Sequence, residues 1–410
     1  MLQPQQQALI RDLAQRCHAL AIGPEYEARR RRWRDVNALR RPDRAPVWCK
    51  PVGCWAELLT ETDLRCTEPP LRDMERAFRR WLIKHDIGDD SLIPPYWPVS
   101  AAVQLEGRHA WGVEIRHVEP ASPGGAWRFD PPVKDEADLD RLTMPHFVHD
   151  KAETQRRVQA CSDVLQDAMP VRVTGSLPLG PHTGYTVADL VGLDNLMLNL
   201  ALKPEMMHRL FAFVQQGILR SMDEVEAMGI LTENNDEEMY CSDPLREMQS
   251  PSPGRRSRIG ISDLWGAANS QEFDQVSPEM WEEFELTYQK PIMARYGLVS
   301  YGCCENLTRK TQGVLTIPNL RIFVCSAWTD LRRVVDAVGS RYAIMWRQKA
   351  SDVVFADDLG TIRRHLHEGM KLSQGAYRQV VLRELQTLNG HMRRLHEWTA
   401  LAREAAEEFP

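Results

Sequence analysis

The sequence of 410 residues lacks any long apolar run. Its strongest candidate, Leu196 to Leu202, is interrupted by Asn199, far short of the ~20 residues a bilayer-crossing helix needs. It has no excess of positive charge: the formal net charge is -6, which removes the bulk electrostatic case for nucleic acid. It has no disulfide framework either. The nine cysteines are odd in number and scattered, so thiols, free or metal-bound, are expected in a reducing compartment. The N-terminal stretch Met1-Leu2-Gln3-Pro4-Gln5-Gln6-Gln7 lacks the charged-then-apolar layout of a signal peptide. Internal repeats and low-complexity segments are also missing. These absences together lead to an expected cytoplasmic protein that touches neither nucleic acid nor membrane.

What is present is material for a large core, with 43% hydrophobic and 26% charged residues. Residues 5 to 40 follow helical spacing, through Leu9, Ile10, Leu13, Cys17 and Leu20, with a second helix over Glu25 to Leu39. The run Arg29 to Arg32 on that helix is read as a solvated face, with phosphate or corrinoid-tail contact as the alternative. From Ala45 onward, strands alternate with helix-length segments. Strands are expected near residues 47, 102, 172, 260, 299, 322, 344 and 380, and Trp111 to Val118 is expected to pair with Ala101 to Leu105. Strands separated by helices imply parallel βα units. The expected fold is therefore a (β/α)8 TIM barrel over residues 46–410, preceded by an N-terminal helical extension over 1–45. The segments 107–150 and 231–256 are read as loop excursions.

Tyr301-Gly302-Cys303-Cys304-Glu305-Asn306 follows the strand Gly297-Leu298-Val299-Ser300. At the C-terminal end of a barrel strand, where chemistry is assembled, this puts two soft thiols beside a hard acid. The bland alternative is two small buried residues, since free Cys packs as a small hydrophobe. Successive strand residues point to opposite faces, so one thiol with distant partners is expected rather than a Cys-Cys chelate. The acidic run Glu233 to Glu238 is read as a solvated loop, with a hard cation on oxygen ligands as the alternative.

Several motifs resemble the uroporphyrinogen decarboxylase superfamily, in the bacterial decarboxylase-like branch that groups with cobalamin-dependent methyltransferases. They are Ser262-Asp263-Leu264-Trp265-Gly266, Ser270-Gln271-Glu272-Phe273, Val276-Ser277-Pro278-Glu279-Met280, Tyr301-Gly302-Cys303-Cys304-Glu305 and Ile317-Pro318-Asn319-Leu320-Arg321. Pro46-Val47-Trp48 and Leu231-Thr232-Glu233-Asn234-Asn235-Asp236 extend the likeness toward the N-terminus. The resemblance implies the same barrel. Two departures matter. The true decarboxylases follow Pro-Val-Trp with paired arginines, whereas Cys49-Lys50-Pro51-Val52-Gly53 has one Lys and no Arg. A substrate with eight carboxylates needs several fixed guanidinium forks, so porphyrinogen is not the expected substrate. The methyltransferase branch holds zinc with a His-x-Cys pair and a later Cys. Cys304 matches the Cys, but Gly302 stands where the His belongs. The zinc ligands the resemblance leaves are Cys303, Cys304 and Cys325, with Glu272 or Glu305.

Methyl transfer needs an electrophile on the leaving heteroatom, zinc or a general acid such as Glu305. The resemblance implies a corrinoid or tetrahydrofolate as methyl acceptor. No Asp-x-His-x-x-Gly motif is present, so a corrinoid would arrive on a separate corrinoid protein. The catalytic candidates are Cys304, Glu305, Glu272 and His182. Tyr185, Lys50, Arg347, Trp48 and Trp265 are the substrate-binding candidates, with Lys50 and Arg347 for a carboxylate. Trp97, Trp328 and Trp346 also fall near expected strand ends, which suits an aromatic substrate. The leading expectation is a methyltransferase acting on a small methylated, aromatic or not, substrate. A decarboxylase or lyase for a small carboxylated substrate, and a barrel retained only for binding, are the alternatives. A homodimer is left open.

Overall fold

The computed structural model describes residues 3–119, 128–235 and 258–410. Eight strands follow the expected order: β1 (Val47–Pro51), β2 (Trp97–Ser100), β3 (Val171–Thr174), β4 (Trp265–Ala268), β5 (Leu298–Tyr301), β6 (Leu320–Cys325), β7 (Ala343–Gln348) and β8 (Tyr377–Leu385). Strands β4 to β8 and then β1 form one curled, all-parallel six-stranded sheet, in which the last strand returns to the first. Strands β2 and β3 pair in parallel with each other. The architecture is TIM-like, but the ladder does not close: it is interrupted between β1 and β2 and between β3 and β4.

Buried backbone groups must find partners, and side chains supply them at both seams. At the β1 edge, the amide of Val47 donates to Asp90 (2.8 Å) and that of Cys49 to Asp89 (2.9 Å). The Asp90 amide donates to the Val47 carbonyl (2.8 Å), and the Lys84 ammonium donates to the Cys49 carbonyl. At the other seam, Thr232 pairs with Gly175 at the end of β3. The carboxamide of Asn234 accepts from the Trp265 amide (3.0 Å) and donates to its carbonyl (3.1 Å). One Asn side chain thus stands in for a missing strand.

Alternation sorts the strand residues into two layers. Phe323, Cys325, Ile344, Trp346, Val380 and Leu382 face the surrounding helices. Trp48, Trp265, Ile322, Val324, Ala343, Met345 and Val381 form an inner cluster. That cluster is closed by Trp33 and Val36 of helix α2 (Pro24–Asn37). Helix α1 (Pro4–Ala21) packs against α3 (Pro69–Ile87) and α4 (Lys151–Leu165), around Ile10, Leu13, Phe78 and Leu165. Both α1 and α2 begin with proline, whose fixed φ and missing N–H suit a first turn. No helix among the described residues is long and apolar enough to cross a membrane.

Several expectations are corrected. The second barrel strand lies at 97–100, not at 101–105; Val103–Leu105 instead pairs antiparallel with Phe147–His149. Trp111 is buried on the helix Pro204–Met228, against Gly217, where an added Cβ would sit 2.5 Å from its ring. That packing keeps residues 111–115 out of a ladder, and only Arg116–Val118 is extended, opposite Arg128–Asp130. The expected strand at 258–262 contains a turn, Ile261–Asp263, whose Asp263 carboxylate accepts from the Gly260 amide. The strand starts at Trp265, which therefore belongs to the wall rather than to a loop. The arginine run is not a solvated face. Arg29 and Arg32 are buried, Arg29 on the Ser91 carbonyl and Arg32 on Asp43 and Asp90. Residues 236–238 of the acidic run lie outside the described residues.

Asp90 is the hub of the first seam: Arg32 (2.6 Å), Arg44 (2.7 Å) and the Val47 amide all donate to its carboxylate. Removing one partner of a buried charge cluster leaves the others uncompensated. Asp90→Ala should therefore cost about 3–5 kcal/mol, read as a lowered midpoint in urea unfolding.

Candidate active site

Strand β5 is followed by Gly302, whose φ is +115°. An added Cβ there would lie 2.9 Å from the Val324 carbonyl oxygen and 3.0 Å from Leu307. Only glycine adopts this conformation without strain, so the backbone itself bars a histidine at 302. The next turn is fastened by Glu305. Its carboxylate accepts from the amides of Ser270 and Cys303, each at 2.8 Å, and its carbonyl accepts from the Ser326 hydroxyl (2.8 Å). Glu305 thus ties together the ends of β4, β5 and β6. It is fully buried, and burial pushes its carboxyl above the ordinary carboxylate range. With both oxygens engaged, it shapes the Cys303–Cys304 turn.

That turn brings Cys304 to the site's central contact. Its thiol donates to Glu384 at 3.3 Å, and Arg347 donates to the same carboxylate oxygen at 3.1 Å. Arg347 also holds the Cys303 carbonyl (3.0 Å). Glu384 was not legible as a site residue, because it sits inside a run that reads as plain strand. Its φ is +62°, and the β1–β8 register shifts between Cys49 and Pro51 beside it. A non-glycine residue in the left-handed region costs of order 1–3 kcal/mol and clusters at functional sites. Here the strain re-aims a carboxylate toward Cys304. The hydrogen bond with Cys303 and then burial push the Cys304 thiol well above the ordinary thiol range. The negative charge of Glu384 adds to this, and Arg347 opposes it. Cys304 is therefore a neutral donor.

The zinc set of Cys303, Cys304 and Cys325 is not assembled. The Cys303 and Cys304 sulfurs are 3.4 Å apart, as adjacent thiols across the turn. Cys325 is fully buried on the helix-facing side of β6, with its thiol on the Thr329 carbonyl (3.6 Å). Among the described residues, no three His, Cys, Asp or Glu side chains converge as a metal site. The donors present do not fit a resident zinc ion.

The other candidates divide. Lys50 lies 5.6 Å over the ring of Trp48. Arg347 is on the inward face of β7, in step with Met345. His182 and Asn269 approach to 3.5 Å, and His182 lines a cavity of about 130 Å³ in the β3–β4 seam. Tyr185 is exposed on helix α5 (Thr183–Val191). Trp48 and Trp265 are buried in the inner core, Trp346 faces the helices, Trp97 packs on Phe78 and Trp81, and Trp328 is exposed. The tryptophans thus form no shared aromatic wall. A cavity of about 740 Å³ opens beside Trp346, His365 and Gly369. It lies between the ends of β6 and β7 and the helix Leu359–Leu372.

Glu272 belongs to a second group. Burial, and then the charges of Glu305 and Asp189, push its carboxyl up to about 7. Glu285 is fully buried and raised well above the ordinary range, first by burial and then by Glu272. It accepts from the Gly184 amide (3.0 Å) and lies on a π-helical turn, Glu282–Leu286. Sequence reasoning missed it: one widened helical turn leaves no mark in the apolar spacing.

No protein-family model matches the chain, and no curated protein matches it. Solved structures do match. One is a methyltransferase from Methanosarcina mazei, with a TM-score of 0.54 and 12% identity over 92% of this chain and 98% of that one. At this identity the likeness establishes the fold.

Gly302→Ala should lose about 1–3 kcal/mol of stability, measurable by urea unfolding. Glu272 generates a pH signature. A carboxyl raised from 4.5 to about 7 binds its proton more tightly when folded. Its stabilisation is complete below the unfolded value and lost as pH rises through about 7. Between pH 4 and 8, wild type should thus lose up to about 3 kcal/mol relative to Glu272→Gln. Parallel unfolding curves for the two proteins would refute this.

Proposed function

We propose that the chain is a methyltransferase that takes a methyl group from a small methylated substrate, an ether or amine. The acceptor in this reading is a corrinoid on a partner protein or tetrahydrofolate, which supplies the nucleophile when bound. The observation that carries it is the Cys304–Glu384–Arg347 contact at the strand ends, set in a fold shared with a methyltransferase. The C-terminal ends of barrel strands are where such sites are built.

The chemistry follows from the neutral thiol. As the methyl–heteroatom bond breaks, the bonding pair stays on the heteroatom and negative charge grows there. The Cys304 S–H, turned from Glu384 to the substrate, stabilises that charge as an oxyanion-type donor does. Glu384 orients the thiol, and Arg347 fixes Glu384. Glu305 keeps the turn in place through the Ser270 and Cys303 amides. No step is assigned to zinc.

The cations Lys50 and Arg347 favour a second reading, a decarboxylase or lyase for a small carboxylated substrate. Carbon dioxide release without any acceptor would decide for it.

The test is methyl transfer from methoxylated and N-methylated compounds to reduced cobalamin or tetrahydrofolate. Cys304→Ala should lower kcat/KM by about 100-fold, and Glu384→Gln by a similar factor. Cys304→Ser, which keeps a donor, should stay within about 10-fold of wild type. Chelator treatment should leave activity unchanged. Full activity in Cys304→Ala would remove the proposed role.

A further inference from the structure

We propose that the upper interior of the barrel is a carboxylate-binding site anchored by Arg383. The methyl donor would then be a carboxylate-bearing molecule held by this side chain. The identity of the donor rests on the methyltransferase reading, but the binding site does not.

Arg383 lies on β8 and is 6% exposed. Its direction follows from its strand. Gln379 donates to Asn37 of α2 (2.7 Å), below the inner core, and Val381 is part of that core. Arg383 is the next residue on the same face, toward the C-terminal end where Cys304 and Glu384 meet. Its Nε is buried with no hydrogen-bond partner. Among the described residues it forms no ion pair. The other buried arginines behave differently: Arg29, Arg32, Arg44 and Arg378 all hold carbonyls or carboxylates.

A guanidinium stays protonated at any physiological pH. Burying its charge uncompensated is costly, so the arrangement makes sense when an anion is the missing partner. The neighbouring strands favour the same ligand. Arg347 of β7 registers with Val381, one inward step below Arg383. Lys50 of β1 falls at the register shift opposite Arg383 and Glu384. Three adjacent strands therefore each direct a cation into the upper interior of the barrel. Glu384 engages Arg347 and the Cys304 thiol. The floor beneath them is apolar: Trp48, Met345 and Val381. A cationic fork above an apolar floor suits a small carboxylate with an apolar body, gripped by two parallel N–H donors. Such a grip leaves the far end of the ligand directed at the mouth, beside Cys304.

The experiment is calorimetric titration of the full chain with 4-methoxybenzoate, acetate, the neutral isostere 4-methoxybenzamide and inorganic phosphate. Wild type should bind the acid at least about 10-fold more tightly than the amide, and phosphate should not compete. Arg383→Gln should abolish that difference. Arg383→Met guards against mere misfolding. Without ligand it should be at least as stable as wild type in urea, because it replaces an uncompensated buried charge with a packed apolar chain. Equal affinity for acid and amide, or no binding of either carboxylate, would overturn the proposal, as would a destabilised Arg383→Met. Competition by phosphate would assign the layer to a phosphate ligand and overturn the carboxylate assignment. Loss of acid binding in Arg383→Gln with no methyl transfer anywhere would retain this site and remove the methyltransferase reading. Methyl transfer from neutral donors by an unimpaired Arg383→Gln would do the reverse.

Discussion

The free edge of β1 is the constraint on which the rest of the structure depends. A barrel strand buried on both faces cannot leave its amides and carbonyls unpaired. Among the described residues, no second strand reaches this edge. Instead Asp89, Asp90 and Lys84 take the amides and carbonyls of Val47 and Cys49. Burial pushes the Asp89 carboxyl up, but the Lys84 charge outweighs it and holds the group below the usual range. Asp90 in turn recruits Arg32 and Arg44, so the seam fixes helix α2 against the barrel. Trp33 then closes the inner core and donates to the Asp90 carbonyl (2.8 Å). One hydrogen-bonding requirement thus determines where the N-terminal helices sit.

The site is built on the same logic of forced backbone geometry. Gly302 turns the chain where a side chain would collide with β6, and Glu305 fastens the result to β4 and β6. Glu384 sits in a left-handed conformation at a register shift, and the cost of that conformation is met by contacts with Arg347 and Cys304. Two irregularities, one on β5 and one on β8, bring a thiol and a carboxylate together across the mouth. The helix-facing side of β6, by contrast, is regular, and it turns Cys325 away from them.

Much of this was legible in the sequence and some was not. The alternation of apolar strand and helix segments located six of the eight strands to within a few residues, and β4 lies past the expected 258–262, at Trp265–Ala268. Strand β2 was displaced because Trp97-Pro98-Val99-Ser100 looks like a proline-rich loop. Its strand character comes from β3, which pairs with it residue for residue. Cys304, Glu305 and Arg347 were recognisable from strand-end position. Glu384, Arg383 and Glu285 were not, since a bulge, an inward charge and a π-turn are products of packing.

By itself, the sequence determined the order of elements and their parallel pairing, because periodicity and chain length admit few other solutions. It also determined that a thiol and an acid would follow β5. Only the tertiary structure decided which side chains share the mouth. Whether a cysteine faces inward, as Cys304 does, or outward, as Cys325 does, depends on a backbone turn set by contacts distant in sequence. Whether an arginine is a solvated charge, a seam clamp or an unmatched cation depends on which carboxylates the fold brings to it.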